Sequence, residues 1–206
     1  MDLTPPILRG RHLVLEPIDE RHAEDLFRLM QDEEVCRYLV WPPPKKLDET
    51  LALIREGKAL MAARQSIVFA QVDAATGRAI GSTRLLDVSP ADRRVEIGST
   101  FLARSHWRTP ANTESKLLFL RYCFETLRCI RVALKTDGRN VRSQEAIARL
   151  GAVREGVLRR HMAIKGYQRD TVYYSILEDE WPAVKARLEA RLAAVAAPPL
   201  GFPTGR

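Results

Sequence analysis

Two polar side chains occupy positions from which they could take part in proton transfer. Glu96 alternates with apolar neighbours along a predicted strand, and Ser143 falls on the same face of a predicted helix as Ile147 and Leu150. A carboxylate in such a place can accept a proton, and a hydroxyl group can donate a hydrogen bond to a developing negative charge. Two structural alternatives stay open: Glu96 could lie on a solvated face or pair with Arg94, and Ser143 could be a small packing residue.

A predicted helix start could bind an anion. Thr109, Pro110 and Asn112 all suit a helix start, with Thr109 as the N-cap and Pro110 as the first helical residue. The first turn of a helix presents unpaired N–H groups and the positive end of the helix dipole to an anion. Asn140 precedes a second predicted helix, where an ordinary N-cap is the simplest role for it.

The positive charge of the chain is concentrated in one segment. The 206 residues include 33 Lys and Arg against 26 Asp and Glu, a formal net charge of +7. Residues 128–169 hold eleven Lys or Arg and three Asp or Glu, a net of 11 − 3 = +8, so the rest of the chain sums to −1. Such a segment attracts a nucleic acid or a phosphorylated cofactor, or is simply a solvated basic face. Because the sequence contains no zinc-finger spacing, basic zipper or aromatic RRM-type motif, nucleic acid is the less favoured partner.

The composition, 46% hydrophobic and 29% charged, is typical of a soluble globular protein and excludes a disordered or collagen-like chain. The apolar stretches are short, and the N-terminus lacks the basic flank and apolar core of a secretory signal, so we expect neither membrane association nor secretion. Cys36, Cys123 and Cys129 form no CxxC pair, which favours reduced thiols in a cytoplasmic protein. The four histidines lack metal-ligand spacing, so we predict no metal site.

The elements that must position these residues can be predicted from hydrophobic periodicity. It predicts strands at 12–16, 66–72, 79–87, 94–102, 130–136, 152–164 and 169–177. It predicts helices at 20–30, 48–63, 141–150 and 180–195, and a largely buried helix from Pro110 whose apolar stripe ends at Leu127, with Glu114 on its polar side. The order of elements indicates an antiparallel meander of three strands, followed by a locally parallel pair.

Three segments of the chain, taken in order, resemble the acyl-CoA-binding core of the GNAT superfamily of N-acetyltransferases. They are RRVEIGSTFL at 93–102, HWRTPANTESKLLFLRYCFE at 106–125 and NVRSQEAIARLGAVREG at 140–156. The likeness is greatest to the branch that includes ribosomal-protein amino-terminal acetyltransferases, and it runs from about Leu8 to Leu177. It implies an α/β (α+β) fold with a mixed, mostly antiparallel central sheet, splayed central strands and flanking helices. The domain would span 8–180, with a C-terminal helix to about 195 and a disordered tail at 196–206.

The resemblance also implies an enzyme that uses acetyl-CoA to acetylate a primary amine, either a protein N-terminus or a small amine. Glu96 would be the general base, acting through water, and Ser143 would hydrogen-bond or protonate the cofactor sulfur. The residues implied to contact the cofactor are Phe101, Leu102, Arg108, Thr109, Ala111, Asn112, Thr113, Asn140 and Ser143. The protein would be a monomer or a homodimer. The alternative from a different class is a non-catalytic acyl-CoA-binding or regulatory module.

The sequence departs from the family at the predicted phosphate-binding turn. The family usually has WGxG where this chain has Trp107-Arg108-Thr109-Pro110. Glycine permits a close approach of phosphate and unusual φ values, whereas Pro110 removes a donor and Arg108 adds bulk with a charge. We predict that Arg108 contacts a cofactor phosphate and so replaces the missing glycine geometry; the alternative is a side chain in solvent.

Aromatic residues could form part of an acceptor pocket. Trp41 could wall such a pocket, and Tyr167, Tyr173 and Tyr174 lie in the predicted final hairpin. Packing within the core or across strands is the favoured role for the three tyrosines, and a packing anchor is at least as favoured for Trp41. The sequence does not identify the acceptor, because acceptor pockets are built from variable loops.

Overall fold

The computed structural model describes residues 1–196, which form one eight-stranded sheet flanked by helices. The strands are β1 Leu8–Arg9, β2 Leu13–Pro17, β3 Ile67–Asp73, β4 Ala79–Ser89, β5 Arg94–Leu102, β6 Arg131–Asp137, β7 Val153–Ile164 and β8 Tyr167–Leu177. The helices are α1 Ala23–Met30, α2 Glu33–Cys36, α3 Leu47–Ala62, α4 Pro110–Arg121, α5 Val141–Leu150 and α6 Trp181–Ala196. The order across the sheet is β1-β2-β3-β4-β5-β6-β8-β7. The predicted disordered tail is 196–206; its first residue, Ala196, ends α6, and 197–206 lie outside the described residues.

The mixed, mostly antiparallel sheet with flanking helices confirms the predicted fold class. β3, β4 and β5 form the predicted meander, and the parallel pair is β5 with β6. The predicted helix at 20–30 begins with a single 3₁₀ turn, Glu20–His22, before α1. A π-turn, Tyr122–Thr126, extends α4. Neither β1 nor α2 was predicted, because two and four residues are too few to show a period.

Two hydrophobic clusters pack on opposite faces of the sheet. Neighbouring residues of a strand point to opposite faces, so in β3 Phe69 joins one cluster and Val68 the other. The first cluster lies under α4, where Phe69 and Phe119 meet edge to face with centroids 5.2 Å apart. The second cluster lies under α1, α2 and α3 and includes Phe101.

The central strands β5 and β6 separate part-way along their length. They pair only from Arg94↔Arg131 to Ile97↔Leu134. Beyond that point β5 pairs with β4 alone and β6 with β8 alone, which confirms the predicted splay. Ser99, with φ +49°, lies at the β5 irregularity that precedes Phe101. The divergence leaves the facing backbone groups of both strands available to a ligand.

Glu114 is buried, which contradicts its predicted place on the polar side of α4. Only 6% of the residue is exposed, and its carboxylate accepts hydrogen bonds from the N–H groups of Arg11, His12 and Leu13 at 2.7, 2.7 and 3.0 Å. The turn between β1 and β2 folds over α4, and its N–H groups need an acceptor there. A Cβ on Gly10 would collide with this carboxyl group, so the turn requires a glycine.

Other features of the described residues bear on the sequence analysis. Cys36, Cys123 and Cys129 are unpaired and buried. None of the helices between residues 1 and 196 is long and apolar enough to cross a membrane. Within the same range, no group of three or more His, Cys, Asp and Glu side chains could hold a metal ion.

Candidate active site

A cleft of about 1480 Å³ opens where β5 and β6 diverge, and residues from α4, β6 and α5 also line it. Nine of the predicted site residues line it: Glu96, Phe101, Leu102, Arg108, Thr109, Asn112, Thr113, Asn140 and Ser143. Ala111 does not. Its side chain is buried in the first hydrophobic cluster, and its N–H donates to Oγ1 of Thr109 at 3.3 Å.

Glu96 is buried beside a lysine that sequence reasoning did not single out. Only 3% of Glu96 is exposed, and its Oε2 lies 3.0 Å from Nζ of Lys135. Its Oε1 is buried and has no partner among residues 1–196. Burial raises the pKa of the Glu96 carboxyl, while the charge of Lys135 acts in the opposite direction. The solvated and Arg94-paired alternatives are both wrong, since Arg94 pairs with Asp87.

A glycine lies beside the partner-free oxygen of Glu96. Gly98 lies two residues further along β5, on the same face of the strand. A Cβ at Gly98 would lie 3.0 Å from Oε1 of Glu96 and 2.8 Å from Cδ1 of Leu86. A side chain at position 98 would therefore collide with Leu86 and crowd the carboxylate.

The start of α4 is capped as predicted. Oγ1 of Thr109 accepts the N–H of Ala111 and donates to the carbonyl oxygen of His106 at 2.8 Å, and Pro110 is the first helical residue. Nε1 of Trp107 donates to the carbonyl oxygen of Leu102 at 2.7 Å, which ties this turn to the end of β5.

Arginines surround the start of α4. Arg104 and Arg108 are exposed and line the cleft. The guanidinium of Arg142, from the first turn of α5, lies 3.5 Å from the ring centroid of Trp107, and its burial lowers its pKa. A helix start with three nearby guanidinium groups is suited to a polyphosphate.

Asn140 is the N-cap of α5, the role predicted from its position before the helix. Its Oδ1 accepts the N–H of Ser143 at 3.1 Å. Ser143 is half-buried and lines the cleft together with Ile147 and Leu150. The cap therefore holds the helix turn that presents the serine hydroxyl to the cleft.

Lys116 is a further cleft residue that the sequence analysis did not identify. Only 6% of Lys116 is exposed, and its Nζ donates a hydrogen bond to Oγ1 of Thr100 at 2.9 Å. Oγ1 of Thr100 also lies 2.8 Å from Oγ1 of Thr83. Burial lowers its pKa to about 8. The signal was its spacing, four residues after Asn112 and three after Thr113, which places all three side chains on one helix face.

Comparison with known proteins identifies the family. Residues 12–153 match the model of the acetyltransferase (GNAT) domain. The crystal structure of a GCN5-related N-acetyltransferase from Brucella melitensis is 32% identical, covers 98% of this chain and 90% of its own, and superposes with a TM-score of 0.86. The chain belongs to the GNAT acetyltransferase family. It is accordingly an acyltransferase enzyme.

Relatives of this GNAT chain include proteins of the ribosomal branch. YdaF of Bacillus subtilis, named as a proposed ribosomal N-acetyltransferase, is 30% identical over 53% of this chain and 59% of its own length. A structure of Mycobacterium smegmatis RimJ with CoA-disulfide shares the fold, with a TM-score of 0.80 over 92% of this chain and 96% of that one, at 20% identity. The likeness to YdaF agrees with the branch predicted from the three sequence segments, and the likeness to RimJ shows the shared fold.

This GNAT chain keeps a glycine-like backbone at the turn that lacks the family glycines. Arg108 has φ +62°, in the left-handed region that glycine adopts without cost. The conformation expected of the first motif glycine is therefore present and is held by an arginine. Pro110 takes the place of the second glycine as the first residue of α4, where its missing N–H leaves no helical bond unmade.

The predicted aromatic residues divide between the cleft and the surrounding structure. Trp41 lines the cleft, and its buried Nε1 has no acceptor among the described residues. The Tyr167 hydroxyl donates to Asp137, and Lys135 Nζ lies 5.7 Å from the ring centroid of Tyr173. Tyr174 does not line the cleft and belongs to the first hydrophobic cluster.

Proposed function

We propose that this acetyltransferase moves an acetyl group from acetyl-CoA to a primary amine, which is either a protein N-terminus or a small amine. The observation that carries the proposal is the cleft between the splayed strands. One wall holds a buried carboxylate with a partner-free oxygen, and another holds a capped helix start surrounded by arginines.

The residues of the cleft suit acetyl-CoA, which supplies the acetyl group as a thioester. Polyphosphate would bind the N–H groups at the start of α4 together with Arg108, and the unpaired edge of β5 would bind the pantetheine amides. We assign cofactor contacts to Phe101, Leu102, Arg108, Thr109, Ala111, Asn112, Thr113, Asn140 and Ser143. Ala111 would act only through its backbone, since its side chain lies in the core. The RimJ structure, which shares this fold, was solved in complex with CoA-disulfide, and this supports CoA as the cofactor.

The proposed chemistry uses two side chains. The amine attacks the thioester carbonyl carbon and gives up a proton to the Glu96 carboxylate through water. The carbon–sulfur bond then breaks, and the hydroxyl of Ser143 donates a hydrogen bond or a proton to the departing thiolate. Lys135 holds one oxygen of Glu96, which leaves the other to accept the proton.

Product analysis tests the proposal. Purified protein is incubated with acetyl-CoA and a library of amines and peptides, and acetylated products are identified by mass spectrometry. We expect acetylation of at least one acceptor, with stoichiometric release of CoA thiol, and a large loss of product with Glu96→Gln. CoA binding without acetylation of any acceptor would contradict the proposal and indicate the non-catalytic module.

Location and assembly remain predictions. We propose that the protein works in the cytoplasm, where its three unpaired cysteines would stay reduced. We propose a monomer or a homodimer, which light scattering of the purified protein distinguishes. A fusion to a fluorescent protein followed by cell fractionation tests the location.

A further inference from the structure

Two arginine side chains of the sheet strands line the cleft without a carboxylate partner. Arg84 in β4 and Arg169 in β8 form neither a salt bridge nor a side-chain hydrogen bond with any residue between 1 and 196. Three other arginines of the sheet region are paired, namely Arg78 with Asp25, Arg94 with Asp87 and Arg131 with Glu155. The unpaired arginines of β7, unlike these two, are exposed. The two unpaired guanidinium groups therefore call for an explanation.

Arg169 is the more deeply buried of the two. Only 5% of the residue is exposed, and its Nε is sealed from solvent without a partner among the described residues. A guanidinium stays charged at any physiological pH, so it cannot escape burial by losing a proton. The charge of Arg169 lowers the pKa of Glu96, but the two groups form no salt bridge. A buried charge without a directly bonded counter-ion is destabilising. Its place in the cleft wall suggests that a bound anion supplies the missing partner.

Arg84 lies beside a second polar group that lacks a partner. Its guanidinium carbon is 5.4 Å from the ring centroid of Trp41, and Nε1 of Trp41 is buried without an acceptor. Burial lowers the pKa of Arg84. Glu56 also lines the cleft, but it forms no salt bridge with Arg84. Arg84 and Trp41 thus bring charged and neutral N–H donors to the same wall.

Both arginines share a sheet face with the Glu96 carboxylate. Arg84 is paired in register with the residue two positions after Glu96, so the two side chains point the same way. Tyr173 in β8 is paired with Lys135, whose Nζ contacts Glu96. Arg169 lies four residues before Tyr173, and this even spacing puts its side chain on the same face of the sheet. The face that presents the proposed base therefore also presents two unpaired cations.

The cofactor phosphates belong to a different part of the cleft. The start of α4 and Lys116 pack against the opposite face of the sheet, on the same side as Thr100. The irregularity at Ser99 turns the Thr100 side chain to the face of the sheet that packs against α4. Gly98, before the irregularity, lies on the same face as Glu96. An anion bound by Arg84 and Arg169 would therefore be part of the acceptor.

We infer that the acceptor is an amine that carries a carboxylate or similar anionic group, which Arg84 and Arg169 bind while the amine lies at Glu96. The inference rests on the proposed acetyltransferase function and narrows its substrate class. The same chemistry could come from a small amino acid-like amine or from a peptide whose residues next to the N-terminus are acidic. Matched acceptor pairs distinguish these two sources.

The test compares acceptors that differ only in one charge. One pair is δ-aminovalerate and its neutral amide, and the other is a tetrapeptide amide with aspartate at its second position and the asparagine counterpart. With the full-length protein and saturating acetyl-CoA, we expect kcat/KM to favour the acidic member of one pair by about 10- to 100-fold. The pair that shows the preference identifies the source of the anion.

Variants of the arginines test their role. Arg84→Gln and Arg169→Gln are expected to move the acidic-to-neutral ratio of kcat/KM towards one, and Arg169→Lys to keep part of the preference. The ratio is measured within one preparation, so a loss of folded protein does not alter it. Arg159→Gln is the matched control, because Arg159 is exposed on β7, outside the cleft, and should leave the ratio as in the wild type.

Three outcomes would overturn the inference. Turnover of both members of each pair with equal kcat/KM, or a preference for the neutral members, would overturn it while leaving the proposed function in place. Weaker CoA binding by Arg84→Gln and Arg169→Gln with an unchanged ratio would assign these arginines to the cofactor instead. Absence of turnover with every amine tested would overturn the proposed function and this inference together.

Discussion

At Glu96, burial and the ion pair with Lys135 act on the carboxyl group in opposite directions. Burial is the larger effect and raises its pKa, and a raised pKa makes the carboxylate a stronger base. The proton of an attacking amine needs such an acceptor at neutral pH, where most amines are protonated. The need disappears at high pH, because the amine is then already neutral.

Glu96→Gln is therefore expected to lower kcat most near neutral pH. We expect a loss of about 100-fold at pH about 7 that shrinks as the pH rises. In the wild type, kcat should fall as the pH drops through the raised pKa of Glu96. The pH profile of the variant should lack this decrease on the acidic side. Initial rates of CoA release across the pH range provide the measurement. Parallel profiles for the two proteins would show that Glu96 is not the base.

Ser143→Ala tests the second proposed catalytic side chain. A hydrogen bond to the departing thiolate is made mainly in the transition state, so its loss should lower kcat more than cofactor binding. We expect kcat to fall about ten- to a thousandfold with little change in the Kd of acetyl-CoA. An unchanged kcat would reduce Ser143 to a packing residue of α5.

Lys116 is expected to lower stability at neutral pH. Its pKa falls from 10.5 in the unfolded chain to about 8 in the fold, so below pH about 8 folding must bury a charge. Between pH about 8 and about 10.5 the unfolded chain binds a proton that the folded chain has lost, so the free energy of unfolding rises with pH across this window. The penalty at neutral pH corresponds to about 3 kcal/mol.

Lys116→Met should remove that penalty while keeping the side-chain volume. We expect the variant to be more stable than the wild type by up to about 3 kcal/mol near pH 7, with the difference shrinking between pH about 8 and about 10.5. Urea denaturation at several pH values measures it. Lys46→Met, at an exposed lysine, is the control and should show no such pH dependence. A constant difference across the window would contradict the shifted pKa.

At the scale of elements, the start of α4 combines a strained residue with the proposed phosphate site. An arginine at φ +62° costs about 1 kcal/mol relative to glycine, because its Cβ crowds the backbone. Arg64, Arg93, Arg128 and Arg160 also have a positive φ, so the strain alone assigns no function. The role proposed for Arg108 is a charge next to the cofactor phosphates.

Arg108→Gly and Arg108→Ala separate the strain from the charge. Both should weaken CoA binding by about 1 to 3 kcal/mol, the range of a hydrogen bond to a charged group. Only Arg108→Gly should also relieve the strain, raising the free energy of unfolding by up to about 1 kcal/mol. Calorimetry with CoA and thermal unfolding without it give the two quantities. CoA binding as tight as in the wild type would leave Arg108 without a role at the phosphates.

At the scale of the whole molecule, the basic segment 128–169 does not form one uniform positive surface. Four of its cations pair with carboxylates, namely Arg131 with Glu155, Lys135 with Glu96, Arg139 with Asp137 and Arg149 with Glu145. Arg142 and Arg169 line the cleft, and Arg154, Arg159 and Arg160 are exposed on β7. The fold thus divides a charge cluster of the sequence among ion pairs, the cleft and an outer strand.

The cations at the cleft should make CoA binding sensitive to salt. Raising the ionic strength from about 0.01 M to about 1 M shortens the screening length from about 30 Å to about 3 Å. We expect the Kd of CoA to increase about tenfold over this range, and less for Arg108→Ala. Titration calorimetry at several salt concentrations measures the effect. A Kd that does not change with salt would argue against phosphate contacts by these arginines.

The sequence alone determined most of the architecture, because strand and helix periods are local properties. The meander, the parallel pair, the Thr109 cap and the Asn140 cap followed from alternation and residue type. The motif segments also indicated the family. They placed Glu96 and Ser143 in elements that the structure brings to one cleft.

Only the tertiary structure decided which side chains surround the reacting groups. Glu114 has a polar side chain on an amphipathic helix, yet it is buried because a distant turn needs an acceptor. Lys135, Arg84 and Arg169 meet the face of Glu96 through strand pairing between residues far apart in the chain. Their burial and their lack of partners depend on the residues that pack around them in the fold. The neighbouring residues in the sequence do not determine that packing.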